Sequence, residues 1–519
     1  LIEKDFHINK ATEYLAISDQ FRLGDLPTEL PHQKSKTLSY LVNNDLKAAI
    51  SLLQEIDIDA LELFKKKLHT LRSLHQSIKE VLQNNKKIFL CGCGATGRLS
   101  LALETLWRAN HKNKLNDSVV GFMAGGDIAL IRSIEQFEDF PEYGARHLKE
   151  LGFSEGDLLI SCTEGGETPY VIGATKEACE ISSVKPYFLY CNPDDILKKS
   201  AQRSKDVLED SRIEKINLFV GSMALAGSTR MQASTILMFA AGTCLNYFDE
   251  SFEKLLADSD NFINSYSESD LSYLSEFIEG ESSAYKRGDY LLYKPTKDLA
   301  ISVLTDTTER SPTFSLHPFE NQNFLDEGKS LCYLFFEEID EVIPSWNAFL
   351  NRSPRTLEWD GQTNLTGMER LKGFDFSQKL IDLRERYLNG KQHIFSIDWN
   401  DQNSIYFKLD KSNSIICSKH VINLFDHLFL KMVLNIMSTL IMGKMDRYQD
   451  NIMTWVRPSN NKLIDRAIRY ADWLLQKDGL KFSYEDLAYE CFRIMEGLNH
   501  NNSLVLEMVK SLSGKNKKP

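Results

Sequence analysis

The chain has 519 residues, enough for two to four domains, and an ordinary hydrophobic share of 42%, enough for sizeable cores. Its formal net charge of -12 argues against nonspecific nucleic-acid binding, which draws affinity from clustered Lys and Arg. No run of about 18 apolar residues is present, so no membrane span is expected, and the first residues, LIEKDFHINK, lack the basic-then-apolar layout of a signal peptide.

Residues 1–40 have mixed polarity and contain LPTELPHQ, which reads as an extended arm. Residues 58–84 place Leu61, Phe64, Leu68, Leu71, Ile78 and Leu82 on one helical stripe opposite a Lys-rich face. Short apolar runs then alternate with helical patterns. Strands are predicted at 87–92, 119–124, 156–163, 186–192 and 215–220, and helices near 97–110, 127–136, 142–151 and 168–183, followed by a long apolar helix near 229–248. Continuous apolar strands alternating with helices imply a parallel sheet covered on both faces. Residues 250–285 turn polar and read as a helical connection. A second alternation predicts strands at 297–304, 330–336, 393–399 and 404–409 and a long helix near 419–443. The tail from about 456 reads as helical and ends in a solvated SGKNKKP.

The nine cysteines are scattered, and Cys91-x-Cys93 is too close for a usual zinc pair. Reduced thiols in a cytoplasmic protein are the simplest reading, with no metal expected.

Three loops carry the candidate chemistry. In GCGATGR, residues 92–98, a strand meets a helix at a Gly-rich turn, where backbone N–H groups and the helix dipole favour an anion. A dinucleotide would need an acid at the tip of the next strand. That strand ends Met123-Ala124-Gly125-Gly126, and Asp127 comes one step late, where it reads as a cap on the following helix. No Lys-Ser or Lys-Thr follows the loop, which excludes a triphosphate P-loop. No cofactor is therefore expected. What remains is a small anion cradle, Gly94, Ala95, Thr96 and Gly97, beside the cation Arg98, or a tight turn that merely packs strand on helix. The second loop, CTEGGETPYV at 162–171, offers the hydroxyls of Thr163 and Thr168 but crowds them with Glu164 and Glu167. In the third, AGSTRMQAST at 226–235, Ser228 and Thr229 sit at the mouth of the long helix, where a plain helix N-cap reads equally well. All three lie where ligands bind in an open parallel sheet, beyond the carboxyl ends of the strands.

These residues carry a resemblance. GCGATGR resembles the GxGTSGR loop of sugar-isomerase (SIS) domains. AGGDIALIRSIEQFED, GETPYVIGA, GSTRM, TELPHQKSKTLSYLVNNDLKAAISLL and VLNIMSTLIMGKMDRYQDNIMTWVRPSNNKLIDRA resemble segments of N-acetylmuramic acid 6-phosphate etherases and glucokinase regulatory proteins, in the same order, over roughly 27–250 and 420–475. The resemblance implies an α/β protein with two tandem SIS domains and a C-terminal all-helical region. The divisions would be 1–45 (arm), 46–255 (first SIS domain), 256–285 (helical connection), 286–450 (second SIS domain, opened by VLTDTTERSPTFSLHPF) and 451–519 (helical region).

The etherases use two glutamates. By resemblance one falls on Glu138, while the other, eight residues after the loop arginine, is Leu106 here. Glu104 is about 200° around the helix from where a group at 106 would point. A leucine moves no proton, and regulatory proteins similarly lack that carboxylate and keep the Glu138 equivalent as a sugar-hydroxyl ligand. Lys462 and Arg466, four apart on one helix face, match the pair that closes over the sugar phosphate. Thr96 stands for the usual Ser, Glu167 for a Ser or Arg, and Gln232 for a usual Lys. The resemblance implies a non-catalytic sensor of a phosphorylated hexose or hexitol, held by the 94–97 loop, Thr163, Glu138, Glu167, Ser228, Lys462 and Arg466, with a sugar kinase as implied partner. A lyase or isomerase acting on an amino-sugar phosphate, with Glu138 as base, is the alternative.

Overall fold

In the computed structural model, residues 6–112, 114–323, 328–399, 404–418, 423–499 and 502–515 are described. The chain opens with helix α1 (Phe6–Ile17), then α2 (Leu46–Lys65) and α3 (Arg72–Gln83). The stretch read as an extended arm therefore contains a helix. It docks on the far end of the chain: Tyr14 hydroxyl meets that of Tyr484 at 2.8 Å, and its ring lies 5.6 Å from that of Phe492.

The first sheet contains β1 (Ile88–Gly92), β2 (Val119–Met123), β3 (Leu158–Thr163), β4 (Tyr187–Tyr190) and β5 (Glu214–Asn217). Its order is β2-β1-β3-β4-β5, and every pairing is parallel. β1 to β4 are buried throughout, as their unbroken apolar character requires. Helices α4 (Ala95–Asn110), α5 (Pro141–Glu150), α6 (Pro169–Ile181) and α7 (Gln232–Asn246) cover the two faces. Residues 127–136 are not the predicted helix. They form two 3₁₀ turns, Asp127–Leu130 and Glu135–Phe137.

Helices α8 (Phe252–Ser267) and α9 (Leu274–Lys286) make the connection. The second sheet holds β6 (Tyr290–Pro295), β7 (Cys332–Leu334), β8 (Gln392–Trp399), β9 (Ser404–Leu409) and β10 (Ser412–Ser418), in the order β10-β9-β8-β6-β7. It is parallel in β7-β6-β8 and antiparallel in the β8-β9-β10 meander. The strand predicted at 297–304 lies one element too late. Those residues form a 3₁₀ turn and the start of α10 (Ala300–Phe314), and the strand before them ends at Pro295.

Helix α11 (Leu424–Lys444) runs through the middle of the molecule and is almost wholly buried. It is long and apolar enough to cross a membrane by composition, but its side chains fill the core. The helical region follows as α12 (Asn461–Lys477), α13 (Tyr484–Met495) and α14 (Leu504–Lys515).

The two halves meet through equivalent elements. α10 follows β6 as α4 follows β1, and these two helices pack together, as do α7 and α11. At the seam Asp306, on α10, is buried and accepts from Arg230 (3.1 Å), Arg310 (3.0 Å), Asn435 (3.0 Å) and Ser438 (2.8 Å). A strap from the second half, residues 351–359, crosses the first. Arg352 pairs with Glu104 at 2.9 Å and Asp127 at 2.6 Å, and Arg355 pairs with Glu104 at 2.7 Å. Asp127 thus pairs with the strap instead of capping a helix. Leu357 and Trp359 complete the outer core of the first half, with Trp359 Nε1 donating to Glu150 at 2.7 Å.

Removing one partner of a buried ion pair leaves a charge uncompensated. Asp306→Ala should therefore lower unfolding stability by about 3–5 kcal/mol in urea melts. A loss below about 1 kcal/mol, the size expected of a surface pair, would mean the seam does not depend on this carboxylate.

Candidate functional site

The sheet order reverses direction between β1 and β3, which is where an open α/β sheet leaves a crevice at its carboxyl edge. A cavity of about 370 Å³ lies there. It draws residues from the loops after β1, β2 and β3, the 227–230 loop, α10 of the second half, the Thr28-Glu29 turn of the N-terminal stretch, and α12 with the segment before it.

The loop after β1 shapes one wall. Gly94 has φ of +55°, a backbone conformation L side chains rarely adopt, and it caps α4 without a side-chain hydrogen bond. Gly97 is required by packing, since a Cβ there would sit 2.5 Å from Met123 Cβ. Gly94 and Ala95 line the cavity at the positive end of α4. Thr96 and Gly97 do not. The Thr96 hydroxyl closes its own turn, accepting from Cys93 N–H at 3.0 Å and donating to Cys93 C=O at 2.9 Å. Thr163 is likewise turned inward, with its hydroxyl 3.1 Å from that of Thr168 and accepting Gly166 N–H at 3.2 Å.

Glu138, Glu167, Ser228, Lys462 and Arg466 all line the cavity, although they are far apart in the sequence, and Arg98 and Glu164 line it with them. Lys462 Nζ lies 2.9 Å from Glu167 and 3.6 Å from Glu138. Arg466 grips Glu29 with two bonds, Nε at 3.0 Å and Nη2 at 2.7 Å, and Arg469 adds a third at 3.1 Å. Arg203 also binds Glu167. The cations expected to clamp a phosphate are therefore held by the chain's own carboxylates. Burial opposes ionisation of Glu29 and Glu167, but the cations outweigh it and hold both carboxyls down at about 2. The same contacts raise Lys462 and Arg466 above their ordinary values against burial.

Other carboxyls behave differently. Burial pushes Glu164 up to about 7, with Ser234 Oγ donating to it at 2.8 Å. Burial also raises Glu309 of α10. Ser228 Oγ is buried and, among the described residues, makes no hydrogen bond. Arg230 is committed to Asp306, Ser438 and Thr439. Glu29, Arg230 and Glu309 were not singled out by sequence. The first two lie inside the TELPH and GSTRM segments that carried the resemblance. Glu309 reaches the site only because the halves fold against each other, which no local motif announces. Leu106 is absent from the cavity lining and instead borders a small groove with Leu103, Trp107 and Gly242.

A carboxyl lowered in the folded state binds its proton more readily when unfolded, so its stabilisation is present above the ordinary carboxylate range and is lost as pH falls toward 2. From about pH 5 to about pH 3, Glu29 and Glu167 should each withdraw on the order of 2 kcal/mol of stability. Urea melts across that window should show a shallower fall in Lys462→Met, and an unchanged slope would contradict the pairing.

Residues 73–179 match the family model described as glucokinase regulatory protein N-terminal SIS domain. An N-acetylmuramic acid 6-phosphate etherase 1 of Bacillus licheniformis is 28% identical over 240 residues, 46% of this chain and 74% of its own. An N-acetylmuramic acid 6-phosphate etherase of Synechococcus sp. (strain CC9902) is 31% identical over 217 residues, 42% of this chain and 64% of its own. Among solved structures, tagatose-6-phosphate ketose/aldose isomerase from Escherichia coli is 12% identical, covering 77% of this chain and 94% of its own, with a TM-score of 0.42. Residues 73–179 thus carry a SIS domain of the glucokinase-regulatory-protein type, and the etherases are among the relatives of this chain.

Proposed function

We propose that the chain binds a phosphorylated hexose or hexitol in the cavity and acts as a regulator of carbohydrate metabolism rather than as a catalyst. One observation carries the reading: the open N-terminus of α4 and the cations Lys462 and Arg466 of the helical region face the same cavity of about 370 Å³. Helix N-terminus and cations together suit a phosphate, and the volume suits a small ligand. The relatives' printed names supply the class, a sugar 6-phosphate.

Ligand entry would compete with Glu29 and Glu167 for the cations of α12. That competition links occupancy to the seating of α12, and through it to α13 and α14, which pack on it. A surface on this helical region is the natural place for a partner to read occupancy, and a sugar kinase is the partner the resemblance implies. A cytoplasmic location is part of the same reading, in keeping with described cysteines that are all unpaired.

The relatives' names favour a second reading, a lyase or isomerase acting on an amino-sugar phosphate such as N-acetylmuramic acid 6-phosphate. Glu138, at the cavity, would be its base. This reading lacks the glutamate that the etherases place at position 106.

A thermal-shift panel of hexose, hexitol and amino-sugar 6-phosphates separates the cases. A ligand at about 100 times its dissociation constant should add about 2.7 kcal/mol, and Lys462→Ala should remove the shift. Silence from a folded protein across the panel would defeat the sugar-phosphate reading. Lactate released from N-acetylmuramic acid 6-phosphate by the wild type, and lost in Glu138→Gln, would establish the second reading in place of the first.

A further inference from the structure

Glu164 and Glu309 stand apart from the carboxylates that hold the clamp. Glu164 follows β3 in the first half, whereas Glu309 is on α10 in the second. Both line the cavity, and their relative exposures are only 8% and 5%. Glu164 accepts a hydrogen bond from Ser234. Among the described residues, Glu309 makes no hydrogen bond and no ion pair.

The groups around the pair come from several elements. Glu164 feels Lys462 of α12 and Glu309 itself, and the thiols of Cys162 and Cys191 lie close by. Glu309 feels Arg98 of α4, Arg230, Lys431 of α11 and Asp306 one turn before it. These cations have partners of their own. Arg98 Nε donates to Leu130 C=O at 3.2 Å and Thr308 at 3.3 Å. Arg230 is held by Asp306, Ser438 and Thr439, and Lys431 donates to Arg230 C=O, Thr235 and Asn435. They offset the charge near Glu309 without bonding it. Two buried carboxyls that line one cavity and repel one another do not both ionise readily, so the pair keeps one proton.

We propose that Glu164 and Glu309, one from each half of the molecule, share a single proton across the cavity and act as its specificity element, accepting an uncharged polyol end of the ligand and rejecting a carboxylate. The inference rests on the sugar-phosphate reading above and adds what lies opposite the phosphate. A protonated carboxyl donates and an ionised one accepts, which matches sugar hydroxyls that do both. The Ser228 hydroxyl, buried in the same cavity and without a partner among the described residues, adds a third polar contact for such an end. A ligand carboxylate would instead bring another negative charge against the ionised member, in a site with little water to screen it. The burial that lifts both carboxyls favours the shared proton near neutral pH.

Glucitol 6-phosphate and gluconate 6-phosphate test this directly, because they differ at C1, a hydroxymethyl in one and a carboxylate in the other. Dissociation constants for both would be taken from thermal-shift titrations near neutral pH on the full chain, for wild type, Glu309→Gln and Glu164→Gln. The wild type should favour the glucitol by at least about tenfold. Either glutamine variant should narrow that ratio by about tenfold, chiefly by gaining affinity for the gluconate. The unliganded melting temperature of each variant reports its folding, and the two variants serve as independent tests. Equal affinities in the wild type, or an unchanged ratio in both folded variants, would overturn the specificity pair while leaving the sugar-phosphate site standing. If neither ligand nor any other sugar phosphate binds the wild type, the sugar-phosphate reading fails and this inference falls with it.

Discussion

The buried carboxylate of Asp306 is the constraint on which the site depends. An unpaired carboxylate there would be untenable, so every element that supplies it a donor is fixed to within hydrogen-bonding tolerance. Its donors come from the loop before α7, from α10 and from α11. Holding Arg230 fixes the 227–230 loop, and with it the Gly227, Ser228 and Thr229 wall of the cavity. Holding Arg310 of the same helix fixes the rotation of α10, and Glu309, three residues after Asp306, then faces the cavity. The walls of the cavity are in this sense a consequence of how the two halves are locked.

The other wall is set by electrostatics of a different kind. Lys462 and Arg466 are held over the cavity by Glu167, Glu138 and Glu29. The arrangement preorganises α12 over the cavity, so a ligand need not order it from solution. It also sets a threshold. An incoming anion must offer the buried cations more than the carboxylates already do, and a phosphate can, having more acceptor oxygens and a higher charge than one carboxylate. Glu167, bonded to both Lys462 and Arg203, acts as an internal counter-ion for them.

The first half was largely legible from sequence because buried parallel strands are written as unbroken apolar runs between Gly-rich turns, as in IFLCG followed by Gly94. The second half was less so. KDLAISVL looks like a strand because a short apolar run cannot be distinguished from a buried helix by periodicity alone. The true strand, YLLYKP, was hidden by its Lys and Pro, and β10 by its polar edge. Hydroxyls were legible as residues but not as roles. Thr96 and Thr163 sit where a ligand contact would be, yet a threonine at a tight turn can equally bond its own backbone, as Thr96 does. Arg230, Asp306 and Glu309 lie in segments that were noticed, GSTRM and VLTDTTERSPTFSLHPF, but nothing local says that they meet across the seam.

The two halves have the elements of a symmetric pair, but they do not have equivalent sites. After β1 the chain turns through Gly94, which opens the end of α4 to an anion. After β6 it turns through Thr296, Lys297 and Asp298, with no glycine, and enters α10 by way of a 3₁₀ turn. A pair of identical subunits related by a two-fold axis must present the same loop twice. A tandem chain is free of that requirement. Here the second half keeps the packing role of the pair, contributes Glu309 to the cavity through α10, and secures the first sheet through Arg352, Arg355 and Trp359. A site assembled this way responds to changes in either half. The shape of the cavity accordingly depends at once on how the first half, α10 and α12 are seated.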